Sequence, residues 1–221
     1  MSTRDSPSGA VVRLAVVGRL LAPVTHDINN PLAALLVRIQ LYMARGSAGM
    51  PRGPGGLDDM YEQALIVSDK VQTLGTLARE ALGEDPPVPT VLSDHVAEIT
   101  QLMGRHMARR GLQLHIDMPP TIPPVLVRPV DLKLSLVEVL LTLCGAARDP
   151  APLRIAAGVQ GDRVHVSIAA EGMTASGLPL PPEAAHLATL TATDGLMLSA
   201  DESFTLSMPW ASPARPLPEP V

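Results

Sequence analysis

The stretch GRLLAPVTHDINNPL, residues 18–32, lies in the middle of a run from Val11 to about Arg45 in which apolar side chains return every three or four positions. Val17, Leu21, Val24, Ile28, Leu32, Leu35, Ile39 and Tyr42 form one stripe, the pattern of an amphipathic helix. Pro31 lacks a main-chain N–H and crowds the carbonyl four residues before it, so a kink is expected one turn beyond His26, with a second disturbance at Pro23. His26 and Asn30 are four apart and share a face the stripe leaves free, which should turn the imidazole to solvent. The neutral ring is a nucleophile near neutral pH. Asp27 can bond the other ring nitrogen or act as a base, and Asn30 can orient a water.

Working outward, residues 46–56 hold five glycines and two prolines, which end the helix and turn the chain back. A second helix follows, with Leu57, Met60, Ala64, Val67, Val71, Leu74, Ala78 and Ala81 in the same rhythm and Asp58 and Asp59 in its first turn. One hairpin of two such helices leaves half of each stripe wet, and pairing two hairpins into a four-helix bundle is the usual remedy, so a homodimer is expected.

Residues 83–89 read as a Pro-rich linker, and from about Thr90 the rhythm becomes mixed. Ser93 is placed as the N-cap of a helix to about Arg110, followed by strands at Leu112–Asp117 and Val125–Val127 and a helix from about Val130 to Arg148. A hairpin of Leu153–Val159 with Arg163–Ala169, a short helix at Glu183–Thr189, and strands at Leu196–Ala200 and Phe204–Met208 complete the pattern. The expected organisation is therefore a disordered N-terminus over 1–10, a helical hairpin over 11–84, an α/β unit over 90–209 and a loose tail over 210–221.

Composition narrows the functional classes. With 46% hydrophobic residues the chain can build real cores, and with four aromatic residues those cores must be aliphatic. A net charge of −5 and the lack of long basic runs argue against nucleic acid as a partner. The lone Cys144 excludes an internal disulfide and a cysteine-based zinc site and reads as a buried small hydrophobe. The most apolar run, Leu132–Ala147, carries Lys133 and Glu138 and falls short of a membrane span, so a cytoplasmic protein without a membrane segment is expected. His95, His106, His115, His165 and His186 show no ligand spacing, and no metal is expected.

The run from Gly18 to Leu32 closely resembles the phosphoacceptor box of HisKA-type sensor histidine kinases, whose form is His, acid, two variable residues, Asn, Pro, Leu. The resemblance implies that His26 is the phosphorylation site, that Asp27 assists transfer, and that Asp27 with Asn30 can dephosphorylate a partner receiver domain. It also implies response-regulator receivers as partners, docking on a face that includes Ala33, Ala34, Val37 and Arg38, although small apolar residues there serve equally well as dimer core.

Residues 90–209 resemble the α/β sandwich that binds ATP in the same family, with its nucleotide residues missing. The family frame Asn-Leu-x-x-Asn-Ala is replaced by Thr142-Leu143-Cys144-Gly145-Ala146-Ala147, and an Ala146 methyl offers magnesium no oxygen. The family Asp-x-Gly-x-Gly is replaced by Ala170-Glu171-Gly172-Met173-Thr174, and the lid reads as deleted. ATP and magnesium are thus expected not to bind. With about ten residues before the first helix, no input domain is expected either. The reading is a histidine phosphotransfer protein of a phosphorelay; a divergent ATP-dependent histidine kinase and a non-catalytic receiver-binding scaffold are the alternatives.

Overall fold

The computed structural model describes residues 9–45, 56–178, 185, 187 and 195–211. Two long helices, α1 (Gly9–Arg45) and α2 (Leu57–Leu82), pack as a hairpin. Next come β1 (Val88–Thr90), α3 (Leu92–Arg109), β2 (Leu112–Asp117), β3 (Val125–Val127) and α4 (Pro129–Ala146). The chain then builds β4 (Ala151–Gln160), β5 (Arg163–Ala170), a 3-10 turn at Ala175–Gly177, β6 (Met197–Ala200) and β7 (Phe204–Pro209). A helical hairpin is thus followed by an α/β sandwich, the fold class expected.

The main sheet has the order β2-β4-β5-β7-β6, and β2 runs parallel to β4 because α4 crosses between them. Its other pairs are antiparallel, and the tight β4–β5 turn uses Gly161 at φ +62°, a conformation that favours glycine. Burial alternates along β5 and β7, so Val164, Val166, Ile168, Phe204, Leu206 and Met208 line a single inner face.

Helix α4 is buried nearly all round, which its sequence of Leu and Val demands. Its three buried charges each meet an opposite charge from another helix. Asp131 pairs with Arg13 of α1, Glu138 with Arg19 of α1, and Lys133 with Glu80 of α2 and Glu98 of α3. One continuous core therefore joins Val12, Val16, Leu20 and Val24 of α1 to α3, α4 and the sheet.

Several expectations are corrected. Helix α1 begins at Gly9, so Gly9 and Ala10 are helical, and it runs unbroken as helix through Pro23 and Pro31. Its buried face is Val12, Arg13, Val16, Val17, Leu20, Val24, Asp27 and Pro31, whereas Leu21, Leu32, Ile39 and Tyr42 of the expected stripe are exposed. By length and composition α1 is also apolar enough to cross a membrane, a test that the core helix of a soluble protein passes as well, so the expectation of no membrane segment is not overturned. Ser93 is not a cap: α3 starts at Leu92 after Val91, and no side chain caps it. The expected linker contains β1, whose Val88–Thr90 pairs antiparallel with Val125–Val127. The turn at 46–55, most of the expected helix at Glu183–Thr189 with the lid region, and the tail beyond 211 lie outside the described residues.

Candidate functional site

His26 sits midway along α1 with its side chain 59% exposed, while the neighbouring Asp27 points inward and is fully buried. The two consecutive positions diverge because the helix turns about 100° per residue, which puts Asp27 on the face with Leu20 and Val24. Asn30, one turn on, lies with its Nδ2 3.2 Å from His26 Nδ1, so the shared face expected from the spacing is realised as a contact. Direct bonding of Asp27 to the ring is not: Nδ1 and Oδ1 are 3.9 Å apart, beyond hydrogen-bond reach.

The group between them is Arg109, the last residue of α3. Its Nη1 forms an ion pair with Asp27 Oδ1 and lies 2.8 Å from His26 Nδ1. A guanidinium carries only donors, so Nδ1 accepts and the neutral ring keeps its proton on Nε2. Neither Asp27 oxygen receives a well-aligned hydrogen bond, and the buried carboxylate is balanced by surrounding positive charge.

Two further groups feel that field. Burial lowers the Lys70 pKa below the ordinary lysine value against the pull of Asp27, and its ammonium donates to the Leu102 carbonyl at 2.9 Å. Burial also lowers the His106 pKa, with the Arg109 and Arg110 charges acting in the same direction. The site is a buried carboxylate paired with Arg109, with the His26 imidazole at its rim.

Ala33, Ala34 and Val37 are exposed on α1 below His26. Arg38, placed with them by the resemblance, reaches across the hairpin to Asp59 of α2 at 3.3 Å. At the C-terminal end of α4, Ala146, Arg148, Asp149, Glu171, Gly172 and Met173 border a cavity of about 500 Å³. Ala146, read as the counterpart of a family Asn, and Glu171, one position beyond Ala170 at the place of the family Asp, thus line one space. From α4 that space receives a methyl group, and the helix offers it no amide oxygen.

Sequence comparison finds a relative of this chain among curated proteins. The chain is similar to sensor histidine kinases. It is 25% identical over 174 residues to the sensor histidine kinase ZraS of Klebsiella oxytoca, a match covering 75% of this chain and 36% of ZraS. The chain thus spans about a third of that relative's length. No family model matches. Among solved structures, the Acinetobacter baumannii histidine kinase AdeS aligns with a TM-score of 0.47 at 15% identity, over 85% of this chain and 98% of that one. Histidine kinase ThkA, solved in complex with the response regulator protein TrrA, aligns at 0.47 and 15%, over 93% of this chain and 65% of that one. A structure described as a bacterial phosphotransferase aligns at 0.42 and 15%, over 87% and 95%.

Arg109 is the residue against His26 and Asp27 that sequence reasoning missed. It lies 83 positions from His26 and ends a helix assigned to another unit. A basic pair, Arg109-Arg110, at a helix end reads as a favourable match to the helix dipole, and nothing in the spacing ties it to the box.

Proposed function

We propose that this protein is a histidine phosphotransfer protein of a two-component phosphorelay, exchanging phosphoryl groups between His26 and receiver-domain aspartates. The observation that carries the reading is the pairing of an accessible imidazole at 26, set beside Asp27 and Asn30, with a second unit whose cavity meets α4 at the methyl of Ala146. In the forward step an unprotonated ring nitrogen attacks the phosphorus of an aspartyl phosphate. The N–P bond forms, the bond to the carboxylate oxygen breaks, and the carboxylate departs with its electron pair. Asp27 balances the positive charge the ring acquires. ATP and magnesium take no part in this reading.

The receiver docks on the exposed face of α1 at Ala33, Ala34 and Val37, with Arg38 at its border. The exposed Leu36, Ile39 and Tyr42 of α1 and Tyr61 and Leu65 of α2 support a second copy of the chain completing a four-helix bundle. The buried, unpaired Cys144 suits a reducing cytoplasm, where this reading places the protein away from membranes and nucleic acids.

The test is to mix the protein with a pre-phosphorylated receiver domain and no ATP. Acid-labile phosphate on the wild type, absent from His26→Ala, supports phosphotransfer. The same label arising only from ATP and Mg²⁺ makes the protein a kinase. Receiver binding without any phosphohistidine makes it a scaffold.

A further inference from the structure

One atom, Arg109 Nη1, faces both Asp27 Oδ1 and, at 2.8 Å, His26 Nδ1, and the two acceptors stand 3.9 Å apart on either side of it. A guanidinium has no acceptor atom and keeps its protons at any accessible pH. We propose that Arg109 is a positioning residue that bars His26 from reaction: it holds the ring with Nδ1 bare and the proton on Nε2, and His26 takes up a phosphoryl group only after Arg109 withdraws. The proposal rests on the phosphotransfer reading for the reaction, but not for the state of the ring.

Three observations carry it. Nδ1 already faces two side chains, Arg109 and Asn30, so an incoming phosphorus reaches the ring through Nε2. In the tautomer that Arg109 imposes, Nε2 has no lone pair in the ring plane to offer. Asp27 is fully buried within 3.9 Å of Nδ1, close enough for a small ring rotation to replace Arg109 by an Nδ1–H to Oδ1 hydrogen bond.

The proton count closes. When Arg109 leaves, Nδ1 takes a proton from water and donates it in a bond to Asp27, while Nε2 returns its proton to water. The freed Nε2 pair then forms the N–P bond as the bond from phosphorus to the donor breaks, and the donor keeps that pair. Asp27 stabilises the resulting cationic ring. Arg109 is suited to leaving, since it closes α3 and its side chain is 39% exposed. A carboxylate arriving with a receiver has the chemistry to draw it away.

The test reads the ring and the reaction separately. Nitrogen-15 NMR of the wild type at a pH where His26 is neutral should show Nδ1 as the bare nitrogen and Nε2 as the protonated one. Arg109→Gln, whose amide oxygen can accept from Nδ1–H, should move the population toward protonated Nδ1, whereas Arg109→Lys, a donor only, should keep the wild-type pattern. With phosphoramidate as the small phosphoryl donor, which releases ammonia and needs no protein partner, Arg109→Gln should phosphorylate His26 about tenfold faster, the factor one charge-assisted hydrogen bond exerts on a two-state balance. Protonated Nδ1 in the wild type overturns the proposal, as does an Arg109→Gln rate equal to the wild-type rate. If no protein takes phosphate while the ring shifts as expected, the hold on the ring stands and the phosphotransfer reading falls.

Discussion

Arg13 and Asp131 stand 118 positions apart in the chain and meet in a buried ion pair, Nε to Oδ1 at 2.8 Å, with side chains 4% and 3% exposed. The same guanidinium donates from Nη1 to the Gly83 carbonyl at 3.0 Å. One side chain thereby fixes α1, the segment after α2, and the start of α4. Removing one member of a buried pair strands the other in a medium that solvates it poorly, so Asp131→Ala should cost about 3–5 kcal/mol of stability. Chemical denaturation should show the midpoint falling with an unchanged slope. Arg13→Met combined with Asp131→Leu should recover most of the loss, and a single variant as stable as the wild type would mean water reaches the pair.

His106 gives the protein a dependence on acid. Its folded pKa is lowered from the ordinary 6.5 by burial and by Arg109 and Arg110. The unfolded chain therefore binds the proton first, and stability should decline as pH falls below about 6.5, levelling only when the folded state also protonates. His106→Gln should flatten that part of the curve in thermal melts between pH 7 and pH 5, leaving the carboxylate-driven loss at lower pH in place.

On the proposed reading Asn30 orients a water rather than carrying phosphate. Asn30→Ala should slow dephosphorylation of a partner receiver by about tenfold or more, the effect of a misplaced reactant. Label acquired by His26 should persist. Loss of both activities together would abolish the division of roles between Asn30 and His26.

Association is tested on the lower hairpin. Leu36 is 60% and Ile39 41% exposed, three residues apart on α1. Leu36→Glu with Ile39→Glu should shift the protein from dimer to monomer in sedimentation while its circular dichroism spectrum stays unchanged. A monomeric wild type at micromolar concentration would reject the bundle.

Much of this fold could be read from period alone. The two long helices, the β4–β5 hairpin and the closing strands announce themselves by steps of three and four or of two, and the box at 26–32 by its residue types. What escaped was set by distant partners. The burial of Asp27, which the period did not indicate, follows from α3 and α4 packing on the first half of α1. Strand β1 hides in a Pro-rich connector because its partner β3 is about forty residues on, and one proline at an edge is compatible with pairing. Lys133 and Glu138 look like interruptions of an apolar helix until Glu80, Glu98 and Arg19 supply their counter-charges.

The short bridge between the two units has a mechanical meaning. Residues 83–87 alone separate the end of α2 from β1, and they begin at a carbonyl clasped by Arg13. With so little slack, and with Asp131, Lys133 and Glu138 of α4 tied to side chains of α1 and α2, the sandwich packs directly on the hairpin. The two parts present themselves to the outside as a single tool, and on the proposed reading a visitor must bring its reacting atom to His26.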